Sequence, residues 1–297
     1  HWHQDDPGVV PNGCINGAGG PTGVAVYEGE LLPAKYQGAI LDCDAGANVV
    51  YAHLPRAKGA GYELEKTVLL TSRTGRGDDR SSTWFRPSDV CVATDGALYV
   101  SDWWDPGVGG HAAGDKLAYG RILRIQPKGA KPVKPVYDVS KLQGAIAALC
   151  SPAVNVRVLG YRALVMERGL AVRPLRELYA SKNPRYRARA LWTLAQIPDE
   201  GQKAIDLALR DADPDLRITA WRAQCQKPPF LPQYALQLSK ENATPAVLRE
   251  VALSLREQNI SYASNPWMEV AKAWDGRDPW LLEALGIGAQ GKESQLY

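Results

Sequence analysis

The stretch WFRPSDVCVATDGALYVSDWWDP, residues 84–106, reads as a tight β-hairpin that ends in two tryptophans, two aspartates and a proline. Val90, Val92, Leu98 and Val100 alternate with smaller or polar neighbours, as the residues of half-buried strands do. Asp95-Gly96 between the two runs predicts a two-residue hairpin turn with positive φ angles. Past Asp102 the chain runs WWDPGVGGHAAGDKLAYG before strand character returns at RILRI, residues 121–125. Such a connection is about three times the usual length, and connections that long tend to carry function.

On both sides of this hairpin, residues 23–137 keep a period of two. The strand-like runs are GVAVY (23–27), GAILDC (38–43), NVVYAHL (48–54) and YELEKTVLLTS (62–72), then SDVCVA (88–93), ALYVSD (97–102), GRILRIQ (120–126) and a weaker VKPVY (133–137). Two successive sets of four antiparallel strands are the pattern of β-propeller blades. Two blades do not close a ring of typically four to eight, so further blades are expected before His1, where the chain starts without Met; a sandwich is the alternative.

From about Ser140 the period becomes helical and repeats. Prolines at 152, 184, 214, 245 and 279 are spaced 32, 30, 31 and 34 apart, and each is expected to open a helix, where its missing N–H costs nothing. An Arg-x-x-small element accompanies them: Arg157/Gly160, Arg187/Ala190, Arg217/Ala220 and Arg249/Ala252, with Glu283/Gly286 in the last unit. This predicts helix pairs stacked into a HEAT-like solenoid, the small residue allowing close packing and the Arg bonding an acidic side chain or helix end of a neighbour. The fold expected is therefore multidomain β plus α. Residues 1–137 form a partial β-propeller of about two blades and residues 138–297 form HEAT-like helical repeats.

Composition excludes several functions. With 45% hydrophobic and 23% charged residues the 297-residue chain is ordinary globular protein. Its net charge of +3 divides into −3 over residues 1–128 (12 basic, 15 acidic) and +6 over the rest (23 basic, 17 acidic), with no basic run, so nucleic acid is not an expected partner. No apolar stretch approaches the 18 residues of a membrane span. The five cysteines, at 14, 43, 91, 150 and 225, show neither CxxC, CxxCH nor Cys/His metal spacing, so no metal site is expected from them.

HWHQDDPGVVPNG, GPTGVAVYEGELLPAKYQGAILDCDAGANVV, WFRPSDVCVATDGALYVSDWWDP, GRILRI and LLEALGIGAQGKE, in this order, resemble the membrane-bound dehydrogenase family, also called PVC-type haem-binding proteins. The resemblance covers nearly the whole chain. It implies a large secreted protein, periplasmic or extracellular and with membrane tethering through other segments left open. The family arrangement is a propeller related to quinoprotein sugar dehydrogenases, then HEAT-like repeats, then a c-type cytochrome domain. The CxxCH motif is absent here, so haem c is implied only in a flanking domain. In sugar dehydrogenases of that type, basic side chains hold the carboxylates of pyrroloquinoline quinone. Arg86 matches one of them, whereas Ser88 and Gly46-Ala47 stand where two other cations would be.

The candidate site follows from strand parity. In an antiparallel set the connections 43–47, 72–87 and 102–119 leave from one end, so Arg86, Asp102, Trp103, Asp105 and His111 are expected on one rim. Asp102 and His111 are the expected catalytic residues and Arg86 the cofactor-binding one. Trp103, Trp104 and Asp105 are expected to bind substrate, since flat aromatic faces suit sugar rings. Three competing roles are an ion pair of Arg86 with Asp89 or Asp102, Trp103 or Trp104 filling a gap between sheets, and Ca²⁺ held by Asp102 and Asp105. The expected activity is sugar dehydrogenase-like oxidation with electrons passed to a haem domain outside this chain. The alternative is a non-catalytic carbohydrate- or protein-binding propeller on a HEAT scaffold, with protein partners or neighbouring domains on the solenoid.

Overall fold

The structure, a computed structural model, describes residues 10–15, 19–72, 84–105, 120–227, 229–241 and 243–296. The protein is of mixed β and α class, with two antiparallel sheets followed by helices. The first sheet runs in simple order through β1 (Pro21–Val26), β2 (Ile40–Asp44), β3 (Val49–Lys58) and β4 (Gly61–Thr71). The second contains β5 (Pro87–Val92), β6 (Leu98–Asp102) and β7 (Arg121–Ile125).

The period-two pattern explains the packing between them. Leu41, Cys43, Val50 and Ala52 on one sheet and Val90, Leu98 and Val100 on the other are buried together with Tyr27 and Phe85. β5 lies against β1 and β2, and a Cβ at Gly23 would approach the Asp89 Cα to 2.4 Å, so only glycine permits that spacing.

Two details of the β region differ from expectation. Residues 133–137 form no strand; Pro132 and Pro135 remove two ladder donors, and Val133 and Val136 are 64% and 87% exposed. The second sheet therefore has three strands among the described residues. The hairpin turn is a three-residue loop, Thr94–Gly96, rather than the two-residue form. Gly96 N bonds Ala93 O at 3.0 Å, and Gly96 alone of the three has positive φ, +85°. Asp95 stays on the negative side because its carboxylate is drawn to Ala97 N at 3.2 Å and Arg124 Nη2 at 2.6 Å.

The helices are α1 (Leu142–Leu149), α2 (Val154–Glu167), α3 (Gly169–Tyr179), α4 (Pro184–Leu194), α5 (Gly201–Ala208), α6 (Pro214–Cys225), α7 (Pro232–Lys240), α8 (Pro245–Ser254), α9 (Ile260–Ala273), α10 (Pro279–Ala289) and α11 (Glu293–Leu296). Pro184, Pro214, Pro245 and Pro279 each occupy the first helical position, behind Asn183, Asp213, Thr244 and Asp278, whose side chains cap the freed N–H groups. Pro152 departs from this rule: α2 begins two residues later, behind an Ala153 with no side-chain cap. Even-numbered helices lie side by side, α2 on α4, α4 on α6, α6 on α8 and α8 on α10.

Three of the repeated arginines bond carbonyls at the end of the preceding helix or in the connection after it, and the fourth, Arg249, bonds Ala60 O between β3 and β4 and the Glu250 carboxylate. Arg157 Nη1 reaches Pro152 O at 2.9 Å, Arg187 Nε reaches Tyr179 O at 3.1 Å, and Arg217 Nη1 reaches Asp211 O at 2.7 Å. The small partner is real at Gly160, Ala190, Ala220 and Ala252, all buried. In the last unit it is Gly288, not Gly286: a Cβ at 288 would strike Ala252 O at 2.4 Å, while one at 286 meets nothing within 4 Å. No helix among the described residues is long and apolar enough to cross a membrane.

Candidate functional site

One end of the paired sheets gathers the turn after β2, the run into β5 and the end of β6. The bond Gly20 N to Asp44 Oδ1, 2.7 Å, brings the lead-in to β1 to the same place. Arg86 is the crossing point. Its Nη1 donates to Ala45 O at 2.7 Å and its Nε to Asp105 O at 2.9 Å, while its main-chain N–H donates to Asp102 Oδ1 at 2.8 Å. Arg86, Asp102 and Asp105 are 8%, 2% and 3% exposed. Side chains buried to this degree survive only where hydrogen bonds replace water.

Asp102 serves three donors. Oδ1 also accepts from Trp104 N at 3.0 Å, and Oδ2 accepts from Arg121 Nε at 2.8 Å. The ion pair of Asp102 is thus with Arg121, from β7, and Arg86 meets it through the backbone. The Asp102 bond holds Trp104 at φ +50°, a left-handed conformation that a bulky side chain adopts only under such constraint. The Trp104 ring then packs between Trp84, at 5.9 Å and tilted by 57°, and the Arg121 guanidinium, 3.9 Å from its centroid. Trp103 is 56% exposed, and its main-chain N–H donates to Arg86 O at 2.9 Å.

Arg86, Asp102, Trp103, Trp104 and Asp105 therefore lie on one rim. His111 lies outside the described residues. The rim also contains residues that the strand reading passed over. Asp44 is fully buried; its Oδ1 accepts from Gly20 N and Ala47 N, whereas its buried Oδ2 has no hydrogen-bond partner among the described residues. Asn48, at φ +59°, donates from its amide to Phe85 O at 2.7 Å. Asp44-Ala-Gly-Ala-Asn48 between two apolar runs is turn chemistry, and that signal could have marked both residues. Trp84 and Arg121 carried no comparable sign.

The arrangement limits the chemistry. A quinone tricarboxylate needs cations turned toward it. Arg86 spends Nε and Nη1 on main-chain carbonyls, and Ser88 Oγ faces Ser101 Oγ at 2.8 Å. With Gly46 and Ala47 at the remaining position, the described residues do not fit pyrroloquinoline quinone. Ca²⁺ at Asp102 does not fit either, because a cation there would displace two N–H donors and a guanidinium. Among the described residues no group of three or more His, Cys, Asp or Glu is arranged to hold a metal ion.

Residues 3–128 match a family model described as a domain of unknown function, DUF7133, so the match ends just after β7 and leaves the helices outside. No curated protein matches the chain. No solved structure matches it.

Proposed function

We propose that the two sheets are neighbouring blades of a β-propeller, that the helices form a HEAT-like solenoid, and that the Trp103 rim binds carbohydrate. The face-to-face sheets with β1 beside β5 suit the radial packing of blades, and the side-by-side even helices suit a stack of repeats. The observation that carries the binding reading is Trp103: a 56% exposed indole at the mouth of a rim whose other aromatic and charged groups are immobilised. An exposed aromatic plane on a rigid mount loses little conformational entropy when a sugar ring stacks on it. Arg86 and Asp102 act in this reading as the mount. The oxidative reading, sugar oxidation with electrons passed to a haem domain in the periplasm or outside the cell, would draw its cofactor contacts from beyond the described residues.

The test is titration of the purified chain with a panel of mono- and oligosaccharides by calorimetry, alongside dye reduction with and without added quinone. Binding that disappears in Trp103→Ala without turnover supports the rim as a carbohydrate platform. Quinone-dependent dye reduction that survives Trp103→Ala would overturn it in favour of the oxidative reading.

A further inference from the structure

At the junction of sheets and helices a single carboxylate is shared by three arginines. Glu28, just past β1, lies 2.9 Å from Arg157 Nη1 of α2 and 3.0 Å from Arg189 Nη2 of α4, both measured to Oε2; Arg185 Nε of α4 is 3.6 Å from Oε1. The cluster keeps two formal positive charges more than it has negative ones. All four side chains are between 14% and 32% exposed, so water screens the excess only in part. Burial, and against the pull of Glu28 the neighbouring Arg189, hold the Arg157 guanidinium below its ordinary value.

Arg157 and Arg189 are also walls of a cavity of about 410 Å³ that opens across α2, α4 and α6. The rest of its lining is mainly apolar, with Val158 and Tyr161 from α2 and Trp192 from α4. Its two threonine hydroxyls are already committed: Thr193 donates to Arg189 O at 2.8 Å and Thr219 to Asp215 O at 2.7 Å. The charged donors left without an acceptor among the described residues are guanidinium N–H groups, Nε and Nη2 of Arg157 and Nε of Arg189.

We infer that this cavity binds a small amphiphilic carboxylate, its aliphatic or aromatic body against Tyr161, Val158 and Trp192 and its anionic head on Arg157 and Arg189. The volume falls in the range of small-molecule sites, roughly 300–1,000 Å³, and an apolar lining with a few convergent donors is the composition of such sites. A guanidinium with free N–H groups suits a carboxylate by geometry as well as charge. The site is separate from the Trp103 rim and does not depend on it.

The experiment is calorimetric titration of the full chain with octanoate and, separately, with octanol, which has the same chain and no charge. Octanoate should bind at least about tenfold more tightly than octanol, the worth of one charge-assisted contact. Val158→Glu places a carboxylate in the lining at a 40% exposed position; it removes an apolar contact from both probes but repels only the charged one, so it should weaken octanoate about tenfold more than it weakens octanol. Arg189→Gln should weaken octanoate, and circular dichroism shows whether the variant is folded. Equal affinity for the two probes, no binding of either, or octanoate binding unchanged in Val158→Glu would overturn the assignment.

Discussion

The main-chain N–H of Ala60, at the turn between β3 and β4, donates to Asp278 Oδ2 at 2.6 Å across 218 positions of the chain. The same carboxylate caps α10, its Oδ1 accepting from Trp280 N at 3.0 Å and Leu281 N at 3.2 Å. Arg249 of α8 holds Ala60 O, and Ala60 is fully buried in the helical core. The tip of a β-hairpin is thereby built into the helices. Asp278→Ala should cost about 1 kcal/mol for the cap and about 1–2 more for the stranded Ala60 N–H. Thr244→Ala removes a cap that holds only its own helix, through Val247 N, and should cost the first amount alone. Equal losses for the two variants in denaturant unfolding would show that the hairpin tie contributes nothing.

The rim network makes a second prediction. Asp102→Ala strands the N–H groups of Arg86 and Trp104 and the guanidinium of Arg121 in a site where the aspartate side chain is fully buried. Arg121 is 46% exposed, so solvent replaces part of its loss, and the expected destabilisation is about 2–4 kcal/mol. Trp104 should leave its left-handed conformation and its place between Trp84 and Arg121. A change in near-ultraviolet circular dichroism with unchanged far-ultraviolet helix signal would register this; a variant as stable as the parent would refute the reading of Asp102 as the mount of the rim.

Glu250 on α8 gives a pH dependence. Burial pushes its carboxyl up, but hydrogen bonds from Arg222 and Arg249, at 2.7 and 2.8 Å, outweigh burial and hold it below the usual carboxylate value of 4.5. A carboxylate depressed in the folded state contributes stability that is full above its unfolded value and lost as pH falls through the folded one. Glu250→Gln should therefore lower stability at about pH 6 and flatten its fall as the pH drops below the usual carboxylate value of 4.5. Parallel acid-side curves for parent and variant would exclude the mechanism.

Much of this architecture was legible because it is local. Alternation marked all seven strands, and the spaced prolines at 184, 214, 245 and 279 marked four helix starts. Strand parity sufficed to bring Arg86 and Asp102 to one end. What escaped depends on partners far along the chain. Nothing near Glu28 announces Arg157, Arg185 and Arg189, and nothing near Ala60 announces Asp278. The eighth strand failed for a local reason that was visible, Pro132 and Pro135 flanking a short apolar run. Pro174 and Pro266 inside α3 and α9 show the converse, tertiary packing retaining a residue that isolated helices reject.

Two glycines, in the first and last units of the same repeat pattern, should respond to alanine in opposite directions. A Cβ at Gly160 would lie 2.5 Å from Leu149 N and 2.6 Å from Ala145 O, both main-chain atoms of α1, so α1 and α2 would have to separate. Overpacking of that kind costs about 1–3 kcal/mol. Gly286 on α10 meets nothing within 4 Å, and there alanine replaces a residue that weakens a helix interior by roughly 0.5–1 kcal/mol. Gly160→Ala should therefore lower the unfolding midpoint and Gly286→Ala raise it, although sequence spacing alone assigns both to the same close-packing position. Stabilisation by Gly160→Ala, or a loss in Gly286→Ala as large as the one in Gly288→Ala, whose Cβ meets Ala252 O, would refute the helix packing described for α1–α2 and α8–α10.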